Sequence, residues 1–492
     1  KLAEEVVAAL ALPSSVVARV EIAGPGFINF WLAQDQLAAA LGAAIDAGAE
    51  FGRAEFGRGV TVNVEFVSAN PTGPLHVGHG RGAALGDGLA ALLEWTGHRV
   101  TREFYINDAG LQIDKLARSL WARVQQAAGR AGEIPEGGYH GEYLAETARA
   151  ALAAEGAGFA DLPEAEGVAR CRQIALTTQR AEQDELLRDF GVRFEVHSSE
   201  QALYDTARVA AMLAELAQKE LTYEREGALW LRSEAHGDDK DRVLRKSDGS
   251  FTYLVPDIAY HRDKHERGFD RAIDVWGADH HGYIPRMRAA LRALGYPNDF
   301  FEVALVQLVK VIKEGEEVRM SKRTGDFVTL RDLLDWVGID AARYFFLMRK
   351  GETPFIFDVD LARQQTDENP VFYVQMAHAR MTGIFRVAGV APGDVGRDAQ
   401  LDALPAPEDR DLLKELTRFP EVVEGAARAR EPHRITGYLE ELARSAHHWY
   451  HHCRVLGEAK ETERARLVLA RGARIVLANG LRLLGLSAPD RM

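Results

Sequence analysis

The chain has 492 residues, a net charge of −13, 47% hydrophobic residues and 27% charged residues, values that are ordinary for a soluble globular protein. It contains no run of 18 apolar residues and no secretory signal, so the sequence predicts neither a transmembrane helix nor a membrane partner. Two distant cysteines, Cys171 and Cys453, argue against a disulfide framework and a Cys-based zinc site and favour a cytoplasmic location.

The first 45 residues have the pattern of a small α/β module. A helical segment is followed by a strand pattern at Val17–Ile22, a Gly-Pro-Gly turn at 24–26 and the apolar segment Phe27–Leu32. The helical pattern already begins at Leu2, and the first residue is Lys1 rather than methionine. We therefore expect this module to be the remainder of a longer N-terminal domain.

Residues 55–345 alternate between strand patterns and helix patterns, which predicts a doubly wound parallel sheet of the Rossmann type. Ala- and Glu-rich helical sequence, followed by hairpin-like sequence at Leu229–Arg232, Val243–Lys246 and Phe251–Leu254, predicts an insertion at about 120–250. The predicted strands of the parallel sheet are Val60–Val67, Val100–Ile106, Ala272–Trp276 and Glu302–Leu308.

Residues 365–492 are almost entirely helical in pattern and predict an all-α domain, interrupted near Val390–Pro407 by a linker rich in Pro, Gly and Asp. The overall negative charge argues against a nucleic-acid partner. Residues 401–492, however, carry 15 Lys and Arg against 14 Asp and Glu. The charge pattern fits either a basic face for a phosphate backbone or an evenly mixed solvated surface.

The segment ANPTGPLHVGH at 69–79 lies between the first predicted strand and a predicted helix at Val77–Glu94. It brings His76, Gly78 and His79 to a helix N-terminus, where free N–H groups and the helix dipole favour a phosphate chain. Glycines recur in that helix at Gly82 and Gly86, which predicts close packing on the sheet. A pair of histidines in an ordinary turn is the simpler interpretation of this motif when it is taken alone.

The second motif, RMSKR at 319–323, precedes another predicted helix. It places Lys322 on a Gly-bounded loop, where a mobile lysine could close over a polyphosphate. Thr329 followed by Asp332 predicts a capping box that starts the next helix. The order and spacing of the two motifs are more specific than either motif alone.

The paired motifs resemble the two signature sequences, known as the HIGH and KMSK motifs, of class I aminoacyl-tRNA synthetases. Further segments resemble arginyl-tRNA synthetases of the bacterial type along the whole chain. They are YINDAG at 105–110, YLVPDIAYHRDK at 253–264, WGADH at 276–280, VQLV at 306–309, NPVFYVQMAHAR at 369–380, CRV at 453–455 and GPGFINFWL at 24–32. The resemblance implies transfer of L-arginine to tRNA(Arg) through arginyl-adenylate, with ATP and Mg²⁺, by a monomer whose residues 365–492 bind the anticodon.

The resemblance also implies which residues form the site. His76, His79 and Lys322 are the expected catalytic residues. The expected ATP-binding residues are Gly78, Gly277, Asp279, His280, Met320 and Ser321. The expected arginine-binding residues are Glu65, Ser68, Asn70, Tyr253, Asp257 and Gln307. Arg319 stands where many class I enzymes have lysine and keeps the positive charge.

Simpler interpretations exist for several of these residues. Glu65 could be an exposed residue at a sheet edge, Asp257 could cap a helix, and Gln307 could be a satisfied polar group in a strand. The candidate tRNA contacts, which could equally be helix core, are Phe372, Tyr373, Gln375 and His378. Four histidines between 447 and 452 have helical spacing, but no acidic or Cys ligands accompany them, so we predict no resident metal site.

Three other functions are compatible with parts of the pattern. A class I synthetase for another amino acid would be expected to carry a zinc-binding set or a larger editing insertion. A catalytically inactive tRNA-binding homologue predicts loss of His76, His79, Ser321 or Lys322, all of which are present. A smaller nucleotidyltransferase would not need the long helical region after the lysine loop.

Overall fold

The computed structural model describes residues 1–318, 328–397 and 403–492. The chain divides into two compact units. One comprises Gly57–Glu94 and His98–Arg363, and the other comprises Lys1–Phe56, Trp95–Gly97 and Gln364–Met492.

The first of these units is built on a parallel sheet of five strands, as the alternation of strand and helix patterns predicts. The strands are β3 (Thr61–Glu65), β4 (Arg99–Ile106), β5 (Val196–Ser199), β9 (Arg271–Gly277) and β10 (Phe301–Val306). Their order across the sheet is β10-β9-β3-β4-β5, and every neighbouring pair is parallel. The chain moves outward from β3 in one direction and from β9 in the other, so the topological switch point lies between these two strands.

Helices surround this sheet and form the predicted insertion. They are α3 (Val77–Trp95), α4 (Leu111–Ala127), α5 (Glu142–Glu155), α6 (Glu164–Asp189), α7 (Glu200–Asp205), α8 (Arg208–Gln218), α9 (Leu254–Glu266), α10 (Ile284–Leu294), α11 (Leu330–Val337), α12 (Ile339–Leu347) and α13 (Val359–Arg363). Gly86 on α3 is required by packing, because a Cβ there would lie 2.2 Å from the Phe66 ring. The same expectation for Gly82 is wrong, since a Cβ there would meet nothing within 4 Å.

Two small sheets complete the unit. An antiparallel sheet contains β6 (Thr222–Arg225), β7 (Ala228–Leu231) and β8 (Arg242–Arg245), and a mixed sheet contains β11 (Val309–Lys313), β12 (Glu316–Glu317) and β13 (Phe355–Asp358). The hairpin predicted from Leu229 to Lys246 is confirmed. The third predicted segment, Phe251–Leu254, is not a strand. Only Phe251 forms an isolated bridge, and Leu254 already begins α9.

The second unit combines the N-terminal elements with the C-terminal helices. The N-terminal elements are α1 (Leu2–Ala9), the antiparallel hairpin of β1 (Val17–Ala23) and β2 (Phe27–Leu32), and α2 (Gln34–Ala47). The C-terminal helices are α14 (Pro370–Ala388), α15 (Pro407–Thr417), α16 (Phe419–Ala429), α17 (His433–His452) and α18 (Lys460–Leu483). Helix α2 packs against α15 and α18, and Asn479 on α18 donates hydrogen bonds to the carbonyls of Gly48 and Phe51. Among the described residues, no helix is long and apolar enough to cross a membrane.

Candidate functional site

The predicted site residues of the sheet gather at its carboxyl edge. Glu65 is the last residue of β3, Gly277 is the last residue of β9, and Gln307 directly follows β10. The register pairs Glu65 with Asp274 and Val306 with Gly277, so these three strand ends are neighbours. Ligands of open α/β sheets bind at this edge beside the switch point, which here lies between β3 and β9.

A strained turn follows Glu65. Val67 and Ser68 both adopt left-handed backbone conformations, with φ values of 68° and 39°, which cost energy for residues other than glycine. The Ser68 hydroxyl donates to Glu65 Oε1 at 2.8 Å and accepts the Tyr105 N–H at 3.2 Å. These contacts hold the turn in a defined geometry at the strand end.

The Asn70 side chain is held in place on both sides. Its amide donates to Gln112 Oε1 at 2.8 Å, and its oxygen accepts from Asn107 Nδ2 at 2.9 Å. Gln183, on insertion helix α6, donates to the carbonyls of Asn70 and Gly73. The insertion therefore supports the loop that carries Asn70 into the histidine motif.

The two motif histidines stack at the start of α3, with ring centroids 3.6 Å apart. His76 Nδ1 accepts the N–H groups of Gly78 at 3.1 Å and His79 at 3.3 Å. A side chain at Gly78 would crowd this arrangement, because its Cβ would lie 3.0 Å from the His76 ring. In this geometry the imidazole occupies the donors that a phosphate would use, so a phosphate must displace it or bind beside it.

The predicted lysine loop, with Arg319, Met320, Ser321 and Lys322, lies outside the described residues. The segment that follows it is fixed to the histidine motif. The Val77 N–H donates to the Val328 carbonyl at 3.3 Å, and the Leu330 N–H donates to the Leu75 carbonyl at 2.7 Å. The predicted capping box of Thr329 and Asp332 is confirmed at the start of α11.

The predicted adenosine segment follows β9. A Cβ on Gly277 would lie 2.5 Å from Asp279 Oδ1, so this close turn excludes a larger residue unless the carboxylate moves. The side chains of Asp279 and His280 are 81% and 62% exposed and lie 3.6 Å apart. Both are open to a ligand from solvent.

Asp257 lies in the first turn of α9 and accepts a hydrogen bond from the Tyr283 hydroxyl at 2.5 Å. Burial raises its pKa above the usual value for aspartate. It forms no ion pair with a Lys or Arg in the described part of the chain. Tyr253, expected beside it, immediately precedes α9 and is 83% exposed.

Glu200 is a candidate site residue that the sequence analysis missed. It begins α7, directly after the short strand β5, and the preceding Ser199 caps that helix and donates to Asp108. Burial raises the Glu200 pKa to about 7, and the nearby carboxylates of Asp257 and Asp108 add to this effect. Glu200 and Asp257 are therefore two acidic groups close enough to repel each other.

The buried Tyr105 hydroxyl lies beside this acidic pair. It has no partner in good hydrogen-bonding geometry among the residues described. Two carboxylates without a Lys or Arg partner in the described residues, next to a buried hydroxyl, form a site suited to a planar cation with several N–H donors.

Glu65, in contrast, is already paired within the protein. The fully buried Lys264 donates to Glu65 Oε2 at 2.6 Å and to Asp274 Oδ1 at 2.8 Å. His261 lies 2.8 Å from the other oxygen of Asp274. The negative charge of Glu65 is therefore largely compensated before any ligand binds.

The four candidate tRNA contacts lie on α14, but they are not equally accessible. Gln375 is 8% exposed and donates to Ser487, and His378 is fully buried with Nδ1 2.9 Å from the Pro489 carbonyl. Both side chains hold the C-terminal segment, so neither is available to an unstacked base. Phe372 and Tyr373 are half-buried, and the Tyr373 ring packs against His447.

Three family models match successive parts of the chain. The arginyl-tRNA synthetase N-terminal domain matches residues 1–32, the class I tRNA synthetase (R) catalytic domain matches residues 48–382, and the DALR anticodon-binding domain matches residues 374–492. The catalytic-domain match contains every site residue discussed above from Glu65 to Gln307.

Two similar proteins are arginine–tRNA ligases of bacteria. The arginine–tRNA ligase of Syntrophotalea carbinolica is 50% identical over 100% of this chain and 89% of its own length. That of Bacillus licheniformis is 48% identical over 100% of this chain and 88% of its own length. Among solved structures, Thermus thermophilus arginyl-tRNA synthetase is 25% identical with a TM-score of 0.76, covering 100% of this chain and 91% of that chain.

Proposed function

Because the chain belongs to the arginyl-tRNA synthetase family and joins arginine to tRNA with the consumption of ATP, we propose that the reaction takes place at the carboxyl edge between β3 and β9. The observation that carries this assignment is the pair of partly buried acids, Asp257 and Glu200, without a Lys or Arg partner in the described residues. The guanidinium of arginine supplies the missing positive charge and donates in a planar fork.

The amino-acid end of the substrate binds toward the strained turn. Ser68 and Asn70 contact the α-amino and carboxylate groups, and Gln307 and Tyr253 border the side-chain pocket. The exposed Tyr253 ring can cover the pocket once arginine is bound. Glu65 orients Ser68 rather than meeting the guanidinium directly, since its second oxygen is bound by Lys264.

In the first step, the arginine carboxylate attacks the α-phosphorus of ATP, which gives arginyl-adenylate and releases pyrophosphate. His76 and His79 contact the phosphates, and Gly78 leaves room for the nucleotide. Gly277, Asp279 and His280 hold the adenosine, together with Met320 and Ser321 of the lysine loop. Catalysis is mainly positioning and charge stabilisation, with Lys322 offsetting charge on the leaving pyrophosphate.

Mg²⁺ is proposed to enter with the triphosphate. No group of three or more His, Cys, Asp or Glu residues suited to a metal occurs within the described ranges. Mg²⁺ commonly keeps several waters and binds through substrate phosphates, so a dedicated protein cage is not required. When bound, it would neutralise phosphate charge.

In the second step, a hydroxyl of the terminal tRNA adenosine attacks the activated carbonyl and releases AMP. By similarity to class I enzymes this is the 2′-OH. The helices α14 to α18 contribute the anticodon-binding surface, for which Phe372 and Tyr373 remain candidates for stacking. We further propose that the enzyme is monomeric and works in the cytoplasm.

The decisive measurement is ATP–pyrophosphate exchange with a panel of amino acids, with and without tRNA. Exchange should depend on arginine and on no other amino acid, and Lys322→Ala should abolish it while leaving tRNA binding largely intact. Exchange stimulated by a different amino acid, or normal turnover by the Lys322→Ala variant, would contradict the proposal. Lys310→Ala is a matched control, because the Lys310 side chain is 63% exposed and its ion pair with Glu317 lies at the surface.

A further inference from the structure

Arg81 is a fully buried cation that the proposed mechanism does not use. It lies on α3, two residues after His79, and its guanidinium donates to the Gln307 carbonyl at 3.0 Å and the Lys350 carbonyl at 3.1 Å. It forms no ion pair with a carboxylate in the described part of the chain, and its Nε has no partner there. Burial alone lowers its pKa to about 10.

The Arg81 guanidinium also lies 5.3 Å from the centroid of the Phe355 ring. A buried guanidinium held by backbone carbonyls and a ring is a costly way to stabilise a fold, since no acid offsets the desolvation of its charge. What Arg81 fixes is the connection between β10 and β11. The Gln307 N–H also donates to the Gly351 carbonyl at 2.9 Å, and a Cβ on Gly351 would lie 2.7 Å from the Leu305 carbonyl. The Gln307 backbone is therefore held on both sides in a closely packed setting.

We infer that Arg81 is a positioning residue that sets Gln307 for recognition of substrate arginine. This inference rests on the proposed role of Gln307. The histidine end of α3 has its own attachment, through the hydrogen bonds of Leu75 and Val77 to the segment 328–330. Loss of Arg81 should therefore displace Gln307 more than the histidines, and should affect arginine more than ATP.

The test compares Arg81→Lys with Arg343→Lys. Arg343 is a suitable control because it is also fully buried in the same unit, also donates to a backbone carbonyl, that of Phe190, and also contacts α3, through Asp87. A lysine keeps the charge at either position but cannot form both of the original bonds in a fork. Steady-state exchange kinetics and Tm are measured for both variants.

We expect Arg81→Lys to raise the KM for arginine about tenfold or more, with the KM for ATP changed by less than about twofold. Arg343→Lys should lower Tm without changing either KM. An unchanged KM for arginine in Arg81→Lys, or equal increases in both KM values, would overturn the inference.

If Arg81→Lys does not fold, Arg81→Met provides the same comparison, because it fills the space without a buried charge. A wild-type enzyme without arginine-dependent exchange would overturn the proposed function and this inference together. A normal wild-type enzyme with unaltered arginine dependence in the variants would overturn the inference only.

Discussion

Two groups of acidic side chains lie at the same end of the sheet, and they differ in what neutralises them. Glu65 and Asp274 share the ammonium of Lys264. Asp257 and Glu200 have no Lys or Arg partner among the described residues, and burial raises the pKa of both. In the paired group, burial raises the pKa of Glu65 although Lys264 opposes the rise, whereas Lys264 and His261 hold the pKa of Asp274 at about 2.

This difference distinguishes carboxylates that support the fold from carboxylates that can bind a substrate. A buried carboxylate that is paired within the protein contributes to a fixed framework, whereas a buried carboxylate without a partner favours a cation from outside. The residue type alone does not distinguish the two, since both groups consist of Asp and Glu. The two groups are distinguished by their partners, which come from distant parts of the chain.

The largest effect is expected from breaking the paired group. Lys264→Met leaves two buried carboxylates without their cation, which should lower the free energy of unfolding by about 3–5 kcal/mol. The free energy of unfolding is measured by urea denaturation monitored by circular dichroism. Lys310→Met is the control, because its exposed ion pair should contribute less than about 1 kcal/mol. Equal stability of the two variants would mean that Lys264 does not hold the framework together.

The next effect is expected from the unpaired group. Asp257→Asn removes a charge with little change in shape, and should raise the KM for arginine about 100-fold, as loss of a charged hydrogen bond would. The KM for ATP should hardly change, and the free energy of unfolding should not fall. Asp274→Asn is the matched variant in the paired group and should show the reverse, reduced stability with a smaller change in KM. A similar increase in the KM for arginine in both variants would contradict the division into a paired group that supports the fold and an unpaired group that binds substrate.

Much of this arrangement is predictable from the sequence. The alternation of Val62, Val64 and Phe66 predicts β3, and the histidine motif and capping box mark its following helix and the start of α11. The role of Glu200 is not visible, because β5 has only four residues and contains His197, Ser198 and Ser199, which have no apolar pattern. The pairing of Lys264 with Glu65 is also hidden, since 199 positions separate them and a lysine among charged residues resembles a solvated helix face.

The pH dependence of kcat/KM for arginine tests whether Glu200 of the unpaired group contributes to substrate binding. The Glu200 pKa is about 7 in the folded enzyme and near 4.5 for the unperturbed group, so the folded state holds this proton over that range. Stability from this group is present at low pH and is lost as pH rises toward 7. Binding of the guanidinium requires the ionised form, so kcat/KM for arginine should rise with pH through about 7.

Glu200→Gln should flatten that rise and lower kcat/KM for arginine above pH 7. The profile for kcat/KM of ATP at saturating arginine serves as the internal control for pH effects that do not involve the arginine pocket. An unchanged arginine profile in the variant would exclude Glu200 from the pocket.

The smallest effects are expected from two Tyr→Phe variants. One changes Tyr260, whose ring centroid lies 4.5 Å from Nζ of Lys264 in the paired group, and the other changes Tyr283 in the unpaired group. Tyr260 donates to Glu103 at 2.8 Å, but that carboxylate also accepts from Asn63, Ser198 and Arg267. Tyr260→Phe should therefore cost about 1 kcal/mol of stability and leave the KM for arginine unchanged. Tyr283→Phe removes the only hydroxyl that donates to Asp257 in the described residues.

Because the Tyr283 hydrogen bond opposes the rise in the Asp257 pKa, its loss should raise that pKa further. The KM for arginine should then increase by a larger factor at the lower of two assay pH values than at the higher one, because more of the acid is protonated at the lower pH. Steady-state kinetics at the two pH values give the ratio of the KM for arginine in the variant to that in the wild type. A pH-independent increase would mean that Tyr283 acts on the shape of the pocket and not on the charge of its acid.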